Sequence, residues 1–227
     1  MESLDLKKVT IREINQFLHS DLASKGVKDV RVINTAGEHN IAVGLDADCN
    51  VDVRGHAGYY VGGMNKKANI TVHGNAGWGA AENMMSGSVR IKGFASAAAG
   101  ASGHGGTLIV EGNTGLRCGI SMKGIDIVVG GNIGNFSGFM AQAGRMLICG
   151  NAGEGLGDSL YEAVIYIKGT IKSLGADAQL EDMTDADYAS VQELLDVAGF
   201  VHDPKDFKRV VSAKQLYNWN ADADQEY

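Results

Sequence analysis

One spacing governs what this chain can fold into. Gly55, Gly74, Gly93, Gly112, Gly131, Gly150 and Gly169 recur every 19 residues, seven times without an insertion. Two residues before each stand Val53, Val72, Ile91, Val110, Val129, Ile148 and Ile167. Four before stand Val51, Ile70, Val89, Leu108, Ile127, Met146 and Ile165. Every unit therefore opens apolar-x-apolar-x-Gly. This is the period-2 alternation of a strand that buries one face.

Further glycines keep step. The form Gly-x-x-Gly-x-x-x-Gly is complete at 55/58/62, 112/115/119, 131/134/138 and 150/153/157; Ser96, Ala81, Lys172 and Ala176 replace glycine in the other units. With 32 Gly and one Pro the chain is neither a linker nor a collagen. A helix-pair repeat is longer, a leucine-rich repeat has a Leu/Asn frame, and a left-handed hexapeptide helix has a period of six. One coil of a parallel β-helix fits 19 residues. The expected fold is all-β: a right-handed parallel β-helix of about seven coils, each roughly 4.8 Å above the last. The glycines fall at corners, where positive φ or close approach between coils is needed.

The position after the repeating glycine holds Asn75, Asn113, Asn132 and Asn151. Stacked Asn predicts a side-chain amide ladder with a structural role. His19, His39, His56, His73, His104 and His202 show no metal-ligand spacing and read as surface or corner residues. The Gly103-His104-Gly105-Gly106 stretch lacks the strand, helix and Lys-Ser/Thr setting of a phosphate loop. Cys49, Cys118 and Cys149 are too few and too scattered for a disulfide framework or a cysteine-held metal site. No catalytic, cofactor-binding or metal residue is therefore assigned in this chain, and the expected compartment is a reducing cytoplasm.

Between the two apolar residues of each strand lies an outward position, occupied by Asp52, Thr71, Arg90, Ile109, Val128, Leu147 and Tyr166. It starts polar and turns apolar. A strand apolar on both faces is covered. Ile109, Val128, Leu147 and Tyr166 are expected to lie under a partner subunit or under the chain's own C-terminal helix. They do not form the carboxylate-lined groove of a polysaccharide-cleaving β-helix.

Three segments follow. Residues 1–49 form an N-terminal cap, with a capping box at Thr10-Ile11-Arg12-Glu13, then Ile14, Phe17, Leu18 and Leu22 at helical spacing and Gly26 as a stop. Val30–Ile33 and Ile41–Val43 read as strands leading into the first coil. Residues 50–182 are the repeats. Residues 183–227 hold a second helix from Thr184 to Gly199, expected at the far end, and a tail whose Phe207, Tyr217 and Trp219 fold back on the rod or dock elsewhere. The net charge of −7 speaks against nucleic acid or an anionic membrane as a partner. No apolar run approaches a membrane-spanning length, and the acidic start does not read as a signal peptide.

The in-phase Gly-x-x-Gly-x-x-x-Gly coils resemble the C-terminal (GXGXG) domain of the glutamate synthase large chain over roughly residues 28–182. Asp206-Phe207-Lys208-Arg209-Val210 is similar to the tail that ends that domain. The same coils occur in one of the chains of formylmethanofuran dehydrogenase. A free-standing chain of this size with a short N-terminal helix looks most like the small β-helix subunit of N-methylglutamate synthase (methylamine–glutamate N-methyltransferase). The resemblance implies a scaffold within a hetero-oligomer. Its partners would be a glutaminase-like amidotransferase subunit and an FMN and iron–sulfur subunit, and the flavin and clusters would lie in the partners rather than here. Only the coil glycines carry over residue by residue. Ser96, Ala81 and Lys172 depart from the pattern and leave open which sister complex is meant: one using methylamine, a split glutamate synthase, or a formylmethanofuran dehydrogenase type.

Overall fold

The computed structural model describes residues 1–216. Eleven strands form one continuous sheet: β1 (Glu2–Asp5), β2 (Asp29–Ile33), β3 (Asn50–Arg54), β4 (Asn69–Val72), β5 (Ser88–Ile91), β6 (Thr107–Val110), β7 (Lys123–Val129), β8 (Ala143–Ile148), β9 (Val164–Ile167), β10 (Ala178–Glu181) and β11 (Lys208–Ser212). Their spatial order is β1 to β9 in sequence, then β11, then β10. The strands from β1 to β9 run parallel. From β3 onward the register advances one 19-residue unit per strand: Val51 faces Ile70, Ile70 faces Val89, and the column continues to Ile165. The chain is thus a parallel β-solenoid of about seven turns. Its inward columns are almost wholly buried and form a single core along the rod.

Each coil has three sides. The strand is the first. The second is a one-residue ladder, with Ala57, Ala76, Ala95 and Thr114 bridged in parallel and Ile133, Ala152 and Ile171 continuing it. The third was not anticipated. Tyr60, Gly62 and Met64 all have positive φ, and the same left-handed triplet recurs at 79/81/83, 98/100/102, 117/119/121 and 136/138/140. This alternation turns successive N–H groups along the rod axis. Tyr60 and Met64 donate to Trp78 and Glu82 of the next coil at 2.8 and 2.7 Å, while Gly62 donates back to Ile41 at 3.0 Å. A left-handed residue other than glycine costs about 1 kcal/mol or more. A backbone N–H left unpaired away from water costs about 1–3 kcal/mol, so the ladder offsets the strain.

The expected strand at Ile41–Val43 belongs to this left-handed side instead: Asn40, Ala42 and Gly44 all have positive φ. An apolar triplet looks strand-like in sequence, but here it seats against the N-terminal cap. That cap is one helical stretch, α1 (Ile11–Gln16), a π turn (Phe17–Asp21) and α2 (Leu22–Lys25). Thr10 and Glu13 form the reciprocal capping box, and Ile14, Phe17, Leu18 and Leu22 enter the main core. The Asn15 amide donates to Asn40 O at 2.8 Å and accepts from Ala42 N at 3.0 Å, which fixes the cap to the first coil.

The C-terminal helix α3 (Asp185–Ala198) starts at a Thr184–Asp187 capping box and stops at Gly199 with φ of 71°. It does not close the far end of the rod, contrary to the sequence expectation, but lies along its side. The end is occupied by β11, which inserts antiparallel between β9 and β10 and sends Val210 into the main core.

Candidate functional site

The exposed and covered faces of the rod are where function has to be sought. At Gly74, Gly93, Gly112, Gly131, Gly150 and Gly169, φ is not positive. The requirement there is close approach: a Cβ on Gly112 would sit 2.7 Å from Gly93 O in the coil below. Gly55 alone of the seven has positive φ, 141°. These residues build the coils and carry no chemistry.

The outward column divides at Arg90. Ile109, Val128, Leu147 and Tyr166 are buried at 0–4% exposure beneath Val191, Leu194, Leu195 and Ala198 of α3 and beneath Phe207, forming a second core on the opposite side of the sheet from the first. The cover is therefore the chain's own helix. Arg90 marks its limit, donating through Nη2 to Val197 O and Ala198 O at 3.3 and 3.0 Å, where the helix leaves its last carbonyls unpaired. The Tyr166 hydroxyl donates to Asp187 at 2.8 Å, and burial together with that carboxylate pushes the phenol up to about 12. Phe207 folds back on the rod; Tyr217 and Trp219 lie outside the described residues.

Over β2 to β5 the same face is open and charged. Asp52 accepts from Arg54 Nε at 2.6 Å, pairs with Arg31 at 3.4 Å, and touches His73 Nε2. Glu111 pairs with Lys92 at 2.6 Å and Arg90 at 3.0 Å. Partial burial would raise both carboxyls, but the cations prevail and hold both below the usual carboxylate range. A general acid needs a raised carboxyl beside an ionised one. Two lowered, ion-paired carboxylates do not supply it.

The asparagine column works differently from an amide-to-amide ladder. Asn75, Asn113, Asn132 and Asn151 each accept, through the side-chain carbonyl, the backbone N–H of the next coil at 2.7–3.1 Å. His56 opens the same column, its Nδ1 accepting from Asn75 N at 3.0 Å. The N–H groups of Gly103, His104 and Gly105 all bond within the chain, so that glycine run does not present them to a phosphate. Burial pushes the Cys118 thiol up to about 12 and the Cys149 thiol to about 11, and raises Cys49 as well; none is a thiolate at neutral pH. Among the described residues no group of three or more His, Cys, Asp and Glu could hold a metal ion, and no helix is long and apolar enough to cross a membrane.

What the sequence reading missed is a set of exposed apolar side chains on the left-handed side and on the corner that leads into it. Tyr59, Tyr60, Met64, Trp78, Leu116 and Phe136 are each 43–54% exposed. Tyr59 stacks on His39 with centroids 4.4 Å apart. The signal was available column by column: within the next two coils the position of Tyr59 is filled by Trp78 and then Ala97, and that of Tyr60 by Gly79 and Ala98. Exposed large side chains in a register that tolerates alanine and glycine are not needed for the coil.

Over its whole length the chain is similar to a curated protein of Rhizobium meliloti (strain 1021), protein GlxC, with 50% identity across 229 residues covering 100% of each. No family model matches the sequence.

Proposed function

The chain belongs to the family of protein GlxC, and from that premise we propose that it is the non-catalytic β-helix subunit of a glutamate synthase-like flavoenzyme complex. The reading is specific to N-methylglutamate synthase, which joins methylamine to glutamate and releases ammonia. The rod holds a glutaminase-like amidotransferase subunit and an FMN and iron–sulfur subunit at a fixed separation, and the reacting groups belong to those partners. The observation that carries this reading is the use of the polar side chains. In the described residues the asparagine column, His56 and the Asp52 and Glu111 clusters are engaged between coils, while the large apolar side chains of the left-handed side and its leading corner face outward. Such a surface suits binding between proteins better than chemistry. The in-phase glycine coils, with their resemblance to the glutamate synthase C-terminal domain, supply the kind of complex.

The test is affinity purification of the chain from its native host with mass spectrometry of what accompanies it, followed by assay with glutamate and methylamine against glutamine and 2-oxoglutarate. An amidotransferase-like chain and an FMN and iron–sulfur chain, with turnover of methylamine, are expected. Turnover of glutamine and 2-oxoglutarate instead would make the complex a split glutamate synthase. A molybdenum or tungsten subunit would move it to the formylmethanofuran dehydrogenase type. A chain that comes down alone would refute the scaffold role.

A further inference from the structure

We propose that a cavity on the left-handed side of the first coils, bounded by Tyr60, Met64 and Glu82, receives one basic side chain, lysine or arginine, set between apolar residues of a partner polypeptide. The inference rests on the reading above that the chain works in a hetero-complex, and it names the chemistry by which one face of the rod is held.

Glu82 is the anomaly. Its column holds Gly63, Ala101, Ile120 and Phe139, all apolar or without a side chain, and carries a second carboxylate only in the last coil, at Asp158, where the Ser159 hydroxyl donates to it at 2.8 Å. A carboxylate at this place breaks a repeat that nothing in the coil requires to be broken. Other carboxylates of the rod, at Asp46, Asp52, Glu111, Asp126 and Glu154, each have a cation within 3 Å. Glu82 is half-buried, and among the described residues no donor or cation is placed on its carboxylate. Burial pushes its carboxyl above the ordinary value with nothing to oppose it. Such a group lacks a counter-charge that the fold itself does not provide.

The surroundings state what kind of cation fits. The Tyr60 ring and the Glu82 carboxylate close in over Gly79, where a Cβ would fall 2.6 Å from the ring and 2.8 Å from Glu82 Oε2, so ring and carboxylate lie beside each other, and both line one cavity. The cavity there has a volume of about 290 Å³ and is completed by Asn40, Val43 and Asn83. That is at the lower edge of the roughly 300–1,000 Å³ of small-molecule pockets and suits a single long side chain. An aromatic ring beside a carboxylate attracts an ammonium or guanidinium. The exposed Met64 and Tyr60 line the opening, and the Tyr59 ring lies edge-on to Tyr60 at 6.4 Å, an apolar surface that would exclude water once covered. A second copy docked with its twofold axis through the cavity would set Glu82 against Glu82 without supplying the missing cation, so charge complementarity points to a different chain.

The experiment places the photo-crosslinker p-benzoylphenylalanine at Met64, which is 50% exposed, in the full chain produced in its native host. The expected adduct lies in a different polypeptide, within a few residues of a Lys or Arg flanked by apolar side chains. Glu82→Gln should then weaken that complex about tenfold or more, and Glu82→Arg should abolish it until the partner's basic residue is changed to Glu. An adduct on a second copy, no adduct, an adduct segment without a basic residue, or a charge swap without rescue would each overturn the proposal. Co-purification with the unmodified chain decides the parent reading separately: a complex that forms while position 64 stays uncrosslinked sinks the cavity assignment and leaves the scaffold standing.

Discussion

Replacing Val128 by Asp should detach α3 from the rod without unfolding the rod. Val128 is fully buried, but on the outer side of the sheet, beneath α3, while Ile127 and Val129 on either side of it face the main core. The helix is held chiefly by Val191, Leu194 and Leu195, each at most 1% exposed. At about 1.5–3 kcal/mol for each large side chain taken from water, their burial contributes roughly 5–9 kcal/mol before the cost of ordering the helix. Val128→Asp removes about 2 kcal/mol of that contact and adds the desolvation of a carboxylate, which costs several kcal/mol when it stays ionised and unpaired. The two sides are comparable, so the local equilibrium tips toward an undocked helix.

Hydrogen exchange followed by mass spectrometry reads this directly. Peptides covering 185–198 should lose protection in the variant, and peptides covering β3 and β4 should keep theirs, because opening is confined to the cooperative unit that lost its contact. Val128→Thr, which keeps the shape and exchanges one methyl for a hydroxyl, should give a smaller loss in the same peptides. Unchanged protection over 185–198 would refute the assignment of the cover. Simultaneous loss across all coils would show that the two cores are one cooperative unit.

Gly112→Val should lower the melting temperature by about 4–12 °C, corresponding to ~2–3 kcal/mol for a chain of this size. The cause is the contact with Gly93 O rather than backbone handedness, and an unmoved melt would place the coil contact elsewhere. Burial alone would raise the Asp187 carboxyl, but the Thr184 hydroxyl and N–H, the Tyr166 hydroxyl and Arg209 outweigh it and hold it below its ordinary value of 3.8. A lowered carboxyl stabilises the fold above its unfolded value and stops doing so as pH falls through the folded one. Protection of α3 should therefore be flat from about pH 7 to 5 and decline below 3.8, and Asp187→Asn should remove that decline. In the native protein at about pH 8, iodoacetamide should leave Cys118 unmodified and reach Cys149 only slowly, since their thiols titrate near 12 and 11; fast labelling of Cys118 would mean that the rod opens.

The strand and the corners of each coil, which were legible in the sequence, and the left-handed side, which for the most part was not, differ in how backbone need is written into residue type. A strand buried on one face must alternate, so Val51, Val53 and their successors declare themselves, and a 19-residue period declares the stacking. Corner glycines are likewise visible, because at Gly112 and its counterparts any Cβ would meet the backbone below. The left-handed side is written only at its middle position, the third glycine of the motif at Gly62, Gly119, Gly138 and Gly157. Only its middle position turns toward the core, where a Cβ on Gly100 would fall 2.6 Å from Ile127 Cδ1, yet even there Ala42 and Ala81 are accommodated. Its outer positions accept Tyr60, Arg117 and Phe136 at positive φ, since the gain comes from inter-coil N–H bonds that do not depend on the side chain. That indifference leaves the outer surface of this side free to vary without disturbing the coil. It is consequently the side on which a carboxylate without a counter-charge and exposed aromatic residues can be carried. The sequence feature that hides this side from a strand-and-corner reading is the same one that lets it serve as a recognition surface, and substitutions at Tyr60, Met64 or Glu82 should change binding while leaving the melting temperature of the rod nearly unmoved.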